Sequence, residues 1–96
     1  MVILQQKDGS MTIEFSNHAL RQMEARSIAK EIILSVIQEP DHIVKQDQST
    51  TIFTRLIDEP GNRYLYRVFV NTAKKPQLII TAYKTSKIDK YGNSLR

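Results

Sequence analysis

The period of the apolar residues switches around Pro40, and that switch constrains the fold more than any other feature. From Ser16 to Pro40 they recur at helical spacing; from residue 42 onward they alternate. A short alternating stretch, Met11-Thr12-Ile13-Glu14-Phe15, reads as a strand. Ser16 follows where an N-cap belongs, its hydroxyl placed to accept an orphan amide hydrogen of the next helix. In that helix Ala19, Leu20 and Met23 cluster on one side. A rotation of ~100° per residue puts His18, Arg21, Gln22 and Ala25 opposite them, with Arg26 at the border. A break near Ser27-Ile28 leads to a second helix, 29–38, with a broad stripe of Ile32, Ile33, Val36 and Ile37. Pro40 ends it, since proline disfavours helical geometry at Glu39 and lacks an amide donor.

Beyond the switch, Ile43-Val44 reads as a short strand and 51–57 as a longer one. Pro60-Gly61 stands where a type II turn places these residues. Strands follow at 64–71 and 77–85, separated by Thr72-Ala73-Lys74-Lys75-Pro76. Two helices ahead of a strand meander must bury their stripes against one sheet face. The expected class is therefore α+β: two N-terminal helices on one face of an antiparallel sheet of about four strands. Ninety-six residues hold one domain, with a folded core at 10–91 and a frayed tail at 92–96.

Strand alternation groups Tyr66, Val68 and Val70 on one face and Leu65, Arg67 and Phe69 on the other. On the last strand, Leu78, Ile80 and Ala82 oppose Ile79, Thr81, Tyr83 and Thr85. With the small and branched set beneath the helices, Arg67, Phe69, Thr81, Tyr83 and Thr85 look outward. Phe53 and Arg55 join that outer face if the register permits. Cations interleaved with aromatic rings on a sheet face suit single-stranded nucleic acid, guanidinium meeting phosphate and rings stacking on bases.

Fourteen Lys and Arg against ten Asp and Glu give a net charge of +4, a balance that favours polyanionic partners. The chain has no cysteine, which excludes disulfides, thiolate nucleophiles and cysteine zinc sites. Its acids are scattered, no HExxH or calcium loop occurs, and the three glycines form no phosphate-binding loop, so neither a metal nor a cofactor is expected. The N-terminal apolar run is too short for a signal peptide, and no stretch reaches the ~20 apolar residues of a membrane span. A soluble, cytoplasmic protein is the expectation.

Metal-free RNA cleavage needs a base for the 2′-hydroxyl, an acid for the leaving oxygen and cations for the phosphorane. His18, Arg67 and Tyr83 are the catalytic candidates: the imidazole as base or acid, the guanidinium as phosphate clamp, the phenol as proton donor or stacking ring. Arg21, Arg26, Arg55, Lys84, Thr85 and Lys87, with Lys90, are candidates for gripping the RNA. His42, after Pro40-Asp41, reads as a turn residue without a function.

The stretch Phe15-Ser16-Asn17-His18-Ala19-Leu20-Arg21-Gln22-Met23-Glu24-Ala25-Arg26-Ser27-Ile28 resembles the "HA-xx-RM-xx-R-GI" opening of a family of small bacterial domains of unknown function. Glu39-Pro40-Asp41, and Thr81 to Lys87 with Lys90-Tyr91, resemble later parts of the same pattern; Ser27 stands where it usually has glycine. Members of that family are similar in layout to RelE- and BrnT-type toxins, metal-independent ribonucleases of toxin–antitoxin pairs. The resemblance implies a RelE-like fold and places His18, Arg26, Arg67 and the Tyr83/Thr85 region where such toxins carry active-site residues. The expected function is a ribonuclease toxin neutralised by an acidic antitoxin. The alternative is a non-catalytic domain that binds RNA or protein through the same face.

Overall fold

A computed structural model of the chain describes residues 2–6 and 9–88, with side chains from residue 12 onward. Lys90, Tyr91 and the frayed tail expected at 92–96 lie outside the described residues. Eight elements follow one another: β1 (Val2–Gln6), β2 (Gly9–Phe15), α1 (Asn17–Ala25), α2 (Lys30–Gln38), β3 (His42–Lys45), β4 (Thr50–Glu59), β5 (Asn62–Asn71) and β6 (Gln77–Thr85). The α+β class and the placement of both helices on one sheet face agree with the sequence. The sheet itself is larger than expected: six strands in the order β1-β2-β6-β5-β4-β3.

It is also mixed rather than antiparallel. β2 lies parallel to β6, Ile13 beside Gln77 and Phe15 beside Ile79. This neighbour relation joins segments more than sixty residues apart, which local periodicity does not encode. β1 pairs antiparallel with β2 from a segment with no clear alternation.

Helix α1 is held at both ends by recognisable chemistry. Ser16 caps it, its Oγ accepting from Ala19 N at 3.0 Å and donating to Ile80 O at 3.0 Å, while Ser16 N donates to Ile79 O at 2.9 Å. At the other end Ile28 N reaches Met23 O at 2.8 Å and Ser27 N reaches Glu24 O at 3.2 Å, the paired bonds of a Schellman motif. Ser27 itself sits at φ 55°, so this serine takes a left-handed conformation that favours glycine. Ile28 and Met23 are both buried, which supplies the apolar contact that accompanies such caps.

The core joins Ala19 and Met23 of α1, Ile33, Val36 and Ile37 of α2, Tyr66, Val68 and Val70 of β5, Ile79 and Ala82 of β6, and Ile13 of β2. Ile79 overturns strict alternation, which had put it on the outer face with Thr81 and Tyr83. A register shift in the β5–β6 ladder is the cause: Phe69 pairs with Thr81, yet Val70 pairs with Ile79, leaving Ile80 as an extra residue. Tight turns behave as read, with Gly61 at φ +86° between β4 and β5.

A left-handed residue other than glycine costs of order 1 kcal/mol. Ser27→Gly is therefore expected to raise unfolding stability by about 1 kcal/mol, read from the urea midpoint at unchanged slope. Ser16→Ala should lower it by about 1–2 kcal/mol in the same measurement, because one cap and one inter-element bond are lost together.

Candidate nucleic-acid interface

Register places the outer-face residues in cross-strand rows. In one row His42 of β3 stands opposite Thr54 of β4, Thr54 opposite Arg67 of β5, and Arg67 opposite Tyr83 of β6. The adjoining row runs Val44, Ile52, Phe69, Thr81, and the row on the other side Leu56, Leu65, Thr85. Directly opposed residues share a face, so these rows form one surface on the side away from the helices.

Its centre is tightly organised. Arg67 Nη1 donates to Tyr83 Oη at 2.6 Å. The guanidinium carbon lies 5.3 Å from the centroid of the Phe69 ring and 5.8 Å from that of Tyr83. The two rings stack at 6.2 Å with 24° between their planes. The cation thus lies beside the stacked pair of rings, its orientation fixed by the bond to the phenol. Arg67, Phe69 and Tyr83 are half-buried. The surface is less open than alternation suggested, because Leu65, Ile52 and Thr54 are buried on this side too. Thr54 Oγ1 is satisfied by His42 O at 3.3 Å.

Thr85 shares the face, and its Oγ1 accepts from the backbone of Lys87, which is exposed just past β6. The remaining candidates lie elsewhere. His18, Arg21 and Arg26 belong to α1 or its C-cap and are exposed on the helix layer. Gln22, the residue after Arg21, accepts from Ala82 N at 3.2 Å beyond the stretch where β2 pairs with β6, so α1 runs along that edge of β6. Arg55 is a correction of register: it pairs with Tyr66, on the helix side, and its Nη1 donates to Ser35 O at 3.3 Å near the end of α2. Phe53 goes with it, pairing with Val68 and packing on the core.

Lys84 also turns to the helix side, since the pleat sends it opposite to Tyr83. There its Nζ is 3.0 Å from Glu59 Oε1 and 4.5 Å from the centroid of the Tyr64 ring. Tyr66 Oη donates to the other oxygen of Glu59. Tyr66 and Lys84 together hold the Glu59 carboxylate below the usual glutamate range, and Glu59 in turn raises Lys84. Burial first, and then the bond to Glu59, push the Tyr66 phenol up to about 12. Lys84 is thus already neutralised and structural in its contacts. Sequence reading missed this network because Glu59 sits beside a turn and its partners lie on two other strands.

His42 is the other miss. It opens β3 rather than a turn, and it is the histidine on the face of Arg67 and Tyr83, roughly 10 Å from Arg67 across two strand spacings. No group of three or more His, Cys, Asp or Glu side chains that could hold a metal ion comes together among the described residues. Nor is any described helix long and apolar enough to cross a membrane.

Tyr66 has a raised folded value, so its contribution is complete below pH 10 and declines as pH rises towards 12. Glu59 has a depressed one, so its contribution is lost as pH falls below 4.5. Tyr66→Phe is expected to flatten the alkaline fall of stability, and Glu59→Gln the acid one, in urea titrations followed by circular dichroism across pH.

Among known proteins, the profile of one family, described as a domain of unknown function (DUF4258), matches residues 15–84. Comparison with curated proteins and with solved structures gives no match.

Proposed function

The chain belongs to the DUF4258 family, whose function is unknown, and from its site we propose that it is an RNA-binding domain that takes single-stranded RNA on the outer face of β4, β5 and β6. The observation that carries this reading is the Arg67 guanidinium set beside the stacked Phe69 and Tyr83 rings and hydrogen-bonded to the phenol. A cation fixed in this way meets a phosphate without further ordering of its own side chain, and the flanking rings offer faces to unstacked bases. Thr81 and Thr85 add hydroxyls along β6, Lys87 adds charge beyond it, and the net charge of +4 draws the polyanion in. Arg21 and Arg26 would attract it only from the helix side, as part of the general field.

A second reading follows from the same Arg67–Tyr83 bond, since a clamp and an O–H donor in contact are two of the three parts of metal-independent cleavage. It is supported by the resemblance to RelE- and BrnT-type toxins, in which case an acidic antitoxin would cover this face. On this surface His42 offers an imidazole in the same cross-strand row as Arg67 and Tyr83.

One experiment addresses both. A fluorescent single-stranded RNA is titrated with protein in chelator, by anisotropy for binding and by gel for cleavage. Arg67→Ala and Phe69→Ala are each expected to weaken binding about tenfold or more, from a loss of ~1–3 kcal/mol per stacked base or clamped phosphate. The logarithm of affinity should fall steeply with the logarithm of salt. His18→Ala should leave binding unchanged. Wild-type affinity in Arg67→Ala would sink the RNA-binding reading. Cleavage that disappears in Tyr83→Phe and His42→Ala but persists in His18→Ala would establish the second reading.

A further inference from the structure

On the outer face of the sheet Leu65 is 0% exposed, Thr54 3% and Ile52 7%. Neither Leu65 nor Ile52 belongs to the core cluster, to which both helices send their apolar residues on the other face. Leu65 is flanked by Leu56 on β4 and Thr85 on β6, with Arg63 and Arg67 two residues away along its own strand. Neighbours of this kind stand beside a side chain, not above it. Full burial at a sheet surface calls for a second layer.

Chain geometry selects what that layer is. The N-terminal strands reach β6 only near its start, Ile13 beside Gln77 and Phe15 beside Ile79. Leu65 stands across from Thr85, six residues or roughly 20 Å beyond Ile79. The C-terminal chain leaves β6 at that point. Thr85 Oγ1 accepts from Lys87 N at 3.0 Å, which bends the chain directly after the strand, and Ile88 is already half-buried. Eight residues follow, Asp89-Lys90-Tyr91-Gly92-Asn93-Ser94-Leu95-Arg96. Extended, they reach up to roughly 27 Å. Two strand spacings take β6 to β4 in about 10 Å, and four residues along β4 lead from Leu56 to Ile52 in about 13 Å. Tyr91 and Leu95 are the apolar groups of this segment, and Asp89 is an anion for a face whose central cation is Arg67.

We propose that residues 89–96 turn back across the outer face and cover Leu65, Thr54 and Ile52, so that this segment and single-stranded RNA compete for one surface. The covering follows from burial and chain length alone. The competition rests on the RNA reading above, since the same face carries Arg67, Phe69 and Tyr83. RNA then binds only the fraction of molecules whose face is open, and its affinity is lowered by that fraction.

Because the chain has no cysteine, a single introduced thiol reports on a single position. Leu65→Cys lies under the segment; Val68→Cys, in the core on the opposite face of the same strand, is the control. Maleimide labelling of each is compared between the full chain and a chain ending at Ile88. The deletion is expected to speed labelling of Leu65→Cys about tenfold or more and to leave Val68→Cys protected. Equal protection of Leu65→Cys in both chains would overturn the proposal. If the deletion exposes both thiols, the full chain carrying Tyr91→Ser and Leu95→Ser replaces it, under the same two outcomes. The cysteine-free full chain and its deletion are then titrated with a fluorescent single-stranded RNA. Losing Lys90 and Arg96 together with Asp89 lowers the net charge by one, which by itself weakens binding, so a severalfold gain in affinity reports release of the face. Faster labelling without that gain would overturn the competition. RNA binding by neither chain would overturn the RNA reading, and the covering is then decided by the thiol alone.

Discussion

Two consecutive carbonyls of β6 are taken by one residue, and the rest of the arrangement depends on it. Ser16 uses its backbone amide for Ile79 and its hydroxyl for Ile80, at the point where β6 carries an extra residue against β5. A bulge changes the parity of a strand, so residues on its two sides answer to different faces. Before it, Ile79 enters the core and β6 can run beside β2; after it, Tyr83 stands next to Arg67 on the outside. The same serine starts α1 by accepting from Ala19. Helix start, parallel pairing and outer-face geometry therefore share a single hinge of hydrogen bonds. Gln22 adds a second stitch, its Oε1 accepting from Ala82 N at 3.2 Å.

The pleat then sorts the polar residues of β5 and β6 into two separate groups. Tyr83 and Lys84 are neighbours in sequence, yet one joins Arg67 outside and the other joins Glu59 and Tyr66 on the helix side. The inner group is balanced: a carboxylate satisfied by a phenol and an ammonium, with the ammonium over tyrosine rings. The outer group has a cation beside two stacked rings.

Much of the secondary structure was legible because periodicity is local. Ser16 and Pro40 mark boundaries through chemistry that acts within a few residues, and α1 and β3 begin just after them, whereas β4 and β5 each run two residues further into the Pro60-Gly61 turn than the sequence suggests. Register and neighbour choice were not legible. Arg55 joins the outer face only if the register permits, because alternation fixes faces within one strand; the turn flanked by Glu59 and Asn62 sets it against Tyr66 on the helix side. The Ile80 bulge is invisible for a similar reason: it answers to Ser16, sixty-four residues away. Within the site, the Arg67–Tyr83 pairing was legible from strand alternation, whereas the placement of the two histidines needed the sheet order.

Those histidines show how far topology governs chemistry here. Helical position puts His18 on the exposed side of α1, whose Ala19 and Met23 enter the core while Gln22 reaches the edge of β6 at Ala82 N. General acid–base transfer demands contact within about 3 Å, or one intervening water. His42 sits in the same cross-strand row as Arg67, with Thr54 between them. An RNA strand laid along that row would meet the guanidinium first and the imidazole two strands later. The spacing suits successive contacts along one nucleic-acid chain better than convergence on one phosphodiester, and this is why binding, rather than cleavage, is the reading that the geometry favours.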